Sequence, residues 1–368
     1  MHIPTVSFVV PCYKLAHLLS ECVDSILCQT FGDFEVLIMD DCSPDNTEEV
    51  ARSFQDPRVT YVRNDENVGH LRNYNKGIGM SRGKYIWLIS ADDRLRTRDL
   101  LEHYVRVMED KPSVGYACCP AFKLDRGIET EIEGRLVSKD TIFKGQEFLK
   151  ILLKGNFVIA ASGIVRRTCY ETCGAFPLDL PYTGDWFLWC LFAIHFDVAY
   201  FADPMVNYRA HELSMTNYLM NHNSSRALKE GFSVLWRVRK HAQQVGANRV
   251  VQLCEASLAR LYGHHLVGGA FQKRPYHLTE EELDVSLLRE TTAAPVQDWI
   301  RARAWTTVGD SSFGRRDFAA AGAYYKRALR YDRSMLKIWI KRLLVDSGYF
   351  GALAVSMLSK IKSATAWR

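Results

Sequence analysis

Short apolar runs alternate with amphipathic stretches through the first hundred residues. Val6-Ser7-Phe8-Val9-Val10-Pro11 is β-rich and ended by proline, which predicts a buried strand. Leu15, Leu18, Leu19, Cys22, Val23 and Ile26 follow at helical spacing, and Phe34 to Met39 predicts a second strand running into Asp40-Asp41. Strand, helix, strand in so short a stretch is a βαβ unit, hence a parallel sheet with helices on its faces. The alternation continues through a helix from Asn46 to Phe54, a strand Val59 to Val62, a helix Asn73 to Ser81 and a strand Tyr85 to Ile89. That last strand leads into Ser90-Ala91-Asp92-Asp93. Open α/β sheets bind ligands beyond the carboxyl ends of their strands. Pro11-Cys12-Tyr13, Asp40-Asp41 and Asp92-Asp93 are therefore expected to converge on one crevice.

From about residue 216 the alternation is lost, and Ser224 to Gln243, Arg249 to Leu266, Asp298 to Gly309 and Phe318 to Tyr331 read as helices. Two domains are expected: an α/β domain over 1–215 and a helical one over 216–368. Gly314 to Asp332 looks like the second helix of a tetratricopeptide unit, with no further copies at the expected period, and fits a plain helical hairpin equally well. Near the end, Leu336, Trp339, Ile340, Leu343 and Leu344 form an apolar stripe opposite Lys337, Lys341 and Arg342. Tyr349 to Leu358 is apolar but too short to span a bilayer, and Lys360 and Lys362 follow it. Residues 335–362 thus fit either an anionic membrane surface or packing on their own domain.

Charge sharpens the division. Residues 1–215 carry 23 Lys and Arg against 30 Asp and Glu, whereas 216–368 carry 24 against 12, so an overall +5 conceals an acidic front and a basic back. The chain has 368 residues, 48% hydrophobic and 24% charged, which excludes a disordered or fibrous protein. No apolar stretch is long enough for a spanning helix and no basic-then-apolar leader opens the chain, so a cytoplasmic location is expected. Ten cysteines sit mostly inside apolar runs, as buried thiols of a reducing compartment do. No nucleic-acid-binding signature accompanies the basic charge, and no nucleic-acid partner is expected.

The chemistry concentrates at the strand ends. Asp92 and Asp93 are adjacent hard oxygen ligands suited to Mg²⁺ or Mn²⁺ bridging a diphosphate; the alternative is a cap on a helix beginning near Thr97. Neither G-x-G-x-x-G after the first strand nor G-x-x-x-x-G-K-[ST] occurs, so neither a Rossmann dinucleotide site nor a P-loop is supported. Further along, Thr183-Gly184-Asp185-Trp186-Phe187-Leu188-Trp189 sets an acid among aromatic residues at the start of a helix whose apolar stripe is Phe187, Leu188, Leu191 and Phe192, where Asp185 reads as the N-cap.

Val6 to Tyr13, Met39 to Thr47, Asn67-Val68-Gly69, Asn75-Lys76-Gly77-Ile78, Gly83-Lys84-Tyr85-Ile86 and Ser90 to Leu95, in this order and spacing, resemble the nucleotide-binding half of the family 2 glycosyltransferases with the GT-A fold. The resemblance covers about residues 4–215. It implies a Rossmann-like, mostly parallel sheet flanked by helices, with 216–368 as a helical extension. It also implies an inverting transfer of a sugar from a nucleotide-diphosphate donor, a UDP-sugar foremost, to a hydroxyl of a glycan or lipid-linked acceptor, as in bacterial surface polysaccharide synthesis. Pro11, Tyr13 and Asp41 would hold the base, and Asn67 and Lys76 complete the nucleotide pocket. Asp92 and Asp93 would hold the metal and ribose, although Ser90 stands where the fuller motif has a further acid. Asp185 would be the general base. Tyr208-Arg209-Ala210-His211 resembles the closing motif of that domain, with Arg209 toward the diphosphate and His211 a metal ligand. A nucleotidyltransferase and a non-catalytic sugar- or partner-binding module are the competing readings. Membrane contact through 335–362 would put the protein on the inner face of the plasma membrane.

Overall fold

The computed structural model describes residues 2–132, 134–211, 214, 224–268, 278–288 and 294–346. The first four strands are β1 (Val6–Cys12), β2 (Phe34–Asp40), β3 (Val59–Arg63) and β4 (Tyr85–Leu88), and every residue of β1 and β2 is buried. Helices cover the connections between them: α1 (Ala16–Leu27), α2 (Thr47–Ser53) and α3 (His70–Met80). β5 (Arg94–Leu95), α4 (Leu100–Asp110), β6 (Val114–Cys118), β7 (Ala121–Asp125) and β8 (Ile128–Glu131) come next, then β9 (Thr141–Phe143) and α5 (Gly145–Leu152). β10 (Ile164–Arg166), α6 (Arg167–Cys173), α7 (Gly184–His195), β11 (Asp197–Tyr200) and β12 (Val206–Arg209) complete the α/β part.

The main sheet has eight strands in the order β3-β2-β1-β4-β10-β6-β11-β9. β1 pairs in parallel with β2 and β4, β2 with β3, and β6 with β11. β10 is inserted antiparallel between β4 and β6. A second sheet, β5-β12-β7-β8, lies at the carboxyl-end side of β4, because β5 begins one residue after Asp93. The core is aromatic at its centre: Phe8 stacks on Trp87 at 5.3 Å between ring centroids, and Trp87 on Tyr104 at 5.2 Å. Gly83 admits β4 beside β1, since a Cβ there would lie 2.6 Å from the Ser7 backbone nitrogen.

Three local expectations are corrected. The helix expected near Thr97 begins at Leu100 after Asp99, so Asp92 and Asp93 lie in a turn between two strands and cap no helix. α7 begins at Gly184 after Thr183, which places Asp185 inside its first turn and not at the cap. Gly127 to Gly134, legible only as a polar loop, contains β8, whose partner β7 is reached through a tight turn with Arg126 and Gly127 both at positive φ. A strand with no buried side chain carries no hydrophobic signal.

The chain divides into two compact units, one of Met1–Asn223 with His241–Val250 and one of Ser224–Lys240 with Val251–Arg368. The helices beyond the sheets are α8 (Ser224–Gln244), α9 (Asn248–Val267), α10 (Glu280–Leu288), α11 (Ala294–Gly314), α12 (Phe318–Tyr331) and α13 (Leu336–Asp346). α11 and α12 form a hairpin in which Tyr325 is fully buried and donates to Asp310 at 2.7 Å. α13 rests on this pair through Ile338, which is buried, and through Lys341, paired with Asp310 at 2.6 Å. The apolar stripe therefore points away from the packed face: Leu336 and Leu343 are 70% and 64% exposed, and Trp339 and Ile340 are exposed beside them. Tyr349 to Leu358, Lys360 and Lys362 lie outside the described residues. Among the described residues no helix is long and apolar enough to cross a membrane.

Candidate active site

The ends of β1, β2 and β4 are tied together by backbone. Asp41 N donates to Cys12 O at 3.0 Å, and Ala91 N donates to Pro11 O at 3.1 Å. The three acidic or loop segments expected to converge do so. Two non-glycine residues here, Lys14 and Cys42, both have φ of 59°, in the left-handed region that side chains normally avoid.

Asp40 and Asp41 are both buried. Asp40 accepts from Tyr61 Oη and Arg63 Nη1 at 2.7 Å and from Ser43 N at 2.8 Å. Asp41 Oδ1 accepts from Asn64 Nδ2 at 2.8 Å and Val68 N at 2.9 Å, and Oδ2 accepts from Gly69 N at 2.9 Å. A carboxylate has about four acceptor sites, so Asp41 pins the 64–69 segment and keeps one lone pair on Oδ2. Asn67 Nδ2 reaches Asp41 O at 3.2 Å. Lys76 Nζ donates to Asn64 Oδ1 at 2.7 Å, and buried Asn73 links Asn64 to Met39 O. Asp41, Asn67 and Lys76 are thereby members of one network. Tyr13, 41% exposed at the mouth of β1, has the Lys14 ammonium 5.1 Å from its ring centre.

On the other side of the crevice Asp92 Oδ2 meets His211 Nε2 at 2.8 Å, while Asp92 Oδ1 is buried with no hydrogen-bond donor among the described residues. Asp93 Oδ1 accepts from Arg209 N at 2.9 Å, and Arg209 Nε donates to Asp92 O at 2.9 Å. Burial and then the neighbouring Asp92 charge push the Asp93 carboxyl well above the ordinary carboxylate range, against the pull of Arg209. A buried carboxylate oxygen without a donor is costly unless something positive meets it. No set of three or more His, Cys, Asp or Glu side chains among the described residues could hold an ion alone. Mg²⁺ and Mn²⁺ bind through one or two carboxylates plus substrate phosphates and water. The unpaired Asp92 oxygen beside His211 fits an ion whose remaining ligands come from a diphosphate.

Asp185 approaches from α7. The start of that helix is fastened to α3: Asn75 exchanges two hydrogen bonds with Phe176, at 2.8 and 2.9 Å, and His70 Nε2 meets Pro181 O at 3.0 Å. A Cβ at Gly184 would come within 3.3 Å of the Phe176 ring and 3.8 Å of Leu71. Asp185 Oδ1 accepts from Trp186 N at 2.7 Å and Oδ2 from Asn156 Nδ2 at 2.9 Å. Burial nonetheless raises its carboxyl above the usual range. Tyr74, between His70 and Phe176 at ring distances of 5.4 and 5.5 Å, joins the two halves. Its phenol is pushed up by burial and then by the charges of Asp92, Asp185 and Asp93, so all three acids act on one hydroxyl. Sequence reasoning missed Tyr74, Asn64 and Asn156. Tyr74 follows buried Asn73 in α3 and carries no motif of its own.

Residues 7–172 match the sequence profile of Glycosyl transferase family 2. An uncharacterized glycosyltransferase of Rickettsia typhi is 26% identical over 233 residues, 62% of this chain and 71% of that protein. The succinoglycan biosynthesis protein ExoO of Rhizobium meliloti is 37% identical over 94 residues, 26% of this chain and 27% of its own. Among solved structures, S. aureus TarS 1-349 in complex with UDP-GlcNAc superposes with a TM-score of 0.57 at 13% identity, covering 94% of this chain and 91% of that one. That likeness concerns the fold, which is the GT-A arrangement with a helical C-terminal region.

The geometry around Asp185 sets its titration. Asn156 donates to the charged carboxylate and so favours the ionised form, and Asn156→Ala should raise an already raised pKa further. Carboxyl-carbon NMR titration is the check: the wild-type midpoint should lie above the ordinary aspartate value and the variant's higher still. Coincident curves would contradict the assignment.

Proposed function

We propose that this chain, a glycosyltransferase with a family 2 domain over residues 7–172, moves a sugar from a UDP-linked donor to a hydroxyl of a glycan or lipid-linked acceptor, with inversion. The observation that supports this reading is a buried Asp92 oxygen that meets no donor among the described residues, together with an Asp185 carboxyl that burial holds above the usual range. The UDP-GlcNAc complex of TarS and the part of ExoO in succinoglycan biosynthesis support a nucleotide-sugar donor and a polysaccharide product.

Pro11 and Tyr13 border the base, with the remaining Asp41 lone pair accepting a uracil N–H and the Asn67 and Lys76 network framing the nucleoside. Asp92 meets the ribose, and Arg209 is assigned to the diphosphate. Asp92, His211 and the neighbouring Asp93 would hold Mn²⁺ or Mg²⁺, which when bound neutralises charge on the departing diphosphate. Asp185 takes the proton from the acceptor hydroxyl as that oxygen bonds to the anomeric carbon. The bond to the diphosphate oxygen breaks in the same displacement, its electrons leave with UDP, and the anomeric centre inverts. A raised carboxyl is a stronger base than an ordinary one. A nucleotidyltransferase would not call for a base among aromatic residues on α7.

The exposed stripe of α13 beside Lys337 supports contact with an anionic membrane surface, where a lipid-linked acceptor would lie.

Two measurements test this reading. UDP release from UDP-hexoses with lipid-linked oligosaccharide as acceptor should fall about 10²- to 10⁴-fold in Asp185→Asn with donor KM nearly unchanged; unaltered kcat would remove Asp185 from the reaction. Sedimentation with phosphatidylglycerol vesicles should retain the wild type and lose Leu336→Glu/Leu343→Glu, whereas equal binding of the two would exclude α13 as the contact.

A further inference from the structure

Beyond its place beside the acid pair, Arg209 belongs to an ion-pair network with Glu21 and Arg94. Arg209, whose backbone nitrogen and Nε hold Asp93 and Asp92, donates through Nη2 to Glu21 Oε2 at 2.5 Å. The other Glu21 oxygen pairs with Arg94 Nη1. Arg94 continues through Nε to Asn207 Oδ1 at 3.0 Å and through Nη2 to Glu129 Oε1 at 3.2 Å, and Arg96 Nε closes on Glu129 Oε2 at 3.0 Å. Glu21 is thus the one carboxylate shared by the two arginines that flank the acid pair, Arg94 directly after Asp93 in sequence and Arg209 bonded to both.

Arg209 has a choice of partners. Its guanidinium is as well suited to a carboxylate of Asp92 or Asp93 as to Glu21, and a bidentate pair with Asp92 would occupy the oxygen left without a donor there. Glu21 supplies the competing anion. It stands on α1, whose packed residues Leu19, Cys22, Val23 and Ile26 fix it against the sheet, so its carboxylate is anchored independently of the turn that carries the acids. We propose that Glu21 is a positioning residue that holds the Arg209 guanidinium off the Asp92–Asp93 carboxylates and so keeps Asp92 open to a divalent cation. This rests on the reading of Asp92 as a metal ligand. Glu21 touches neither cation nor substrate.

The two effects of removing it are separable. Glu21 is 40% exposed, so its ion pairs contribute little to folding in the screened surroundings of the surface. Outer-shell partners of metal ligands, by contrast, commonly govern about 10- to 100-fold in metal affinity. Glu21→Gln keeps the shape and an acceptor oxygen and removes the charge that restrains Arg209.

The experiment is a Mn²⁺ titration of the full chain at saturating UDP, read by calorimetry, with melting temperature and kcat at saturating Mn²⁺ measured alongside. Glu21→Gln should raise the Mn²⁺ midpoint about 10- to 100-fold while metal-free melting and saturated kcat stay close to wild type. Glu21→Asp, which retains the charge, should recover most of the affinity. In an Arg209→Gln background Glu21→Gln should have no further effect, because nothing is left to restrain. A midpoint within twofold of wild type, or an equal loss in the Arg209→Gln background, would overturn the proposal. Absence of any Mn²⁺-dependent UDP binding in the wild type would overturn the metal reading itself and this inference with it, an outcome distinct from unchanged binding in the variant.

Discussion

Asp92 and Asp93 set two carboxyl groups side by side at the end of a buried strand, and much of the surrounding structure answers that repulsion. Adjacent like charges in a low-dielectric place cannot both ionise freely. Asp93 is relieved by a backbone N–H and by the nearby Arg209 charge. Asp92 has one oxygen on His211 and one facing no donor among the described residues. The cost of leaving that oxygen bare is of the same kind as the affinity it offers a cation, so the turn is destabilised where it would bind. α1 and β12 supply Glu21 and Arg209, and the second sheet pairs β12 with β5, which follows that turn directly.

The opposite wall obeys a different rule. Asp41 and Asp40 are also buried acids at a strand end, yet each is met by three hydrogen bonds from the protein. They fix the loops that frame the crevice. Asp185 lies between these extremes, with two donors and a carboxyl still raised by burial. Three acidic positions of one fold thus differ in how fully they are satisfied, and that difference matches the scaffold, base and ligand roles we propose for them.

The parallel half of the fold was legible in the sequence because strands buried on both faces read as continuous apolar runs, as Val6 to Pro11 and Phe34 to Met39 do. The antiparallel additions were not. β10 has three residues and β9 has three, too short for a period to register, and β8 exposes Ile128 while pairing polar residues. The acid positions were found from motif order, but their relations were not: that Asp41 spends its acceptors on 64–69, or that Asn156 reaches Asp185 from 29 residues away, depends on loop geometry that local pattern does not carry. The α13 stripe was visible as periodicity, yet the face that packs proved to be that of Ile338 and Lys341. Amphipathicity identifies a face without saying what meets it.

In the proposed mechanism Asp92 engages the nucleotide through a cation, whereas Asp185 acts on the acceptor alone. A ligand that binds only the folded chain raises its melting temperature. Melting with UDP, with and without Mn²⁺, in wild type, Asp92→Ala and Asp185→Asn is the most direct measurement. The expected result is a Mn²⁺-dependent rise in wild type and Asp185→Asn that is absent in Asp92→Ala. An equal rise in all three, or one indifferent to Mn²⁺, would contradict it.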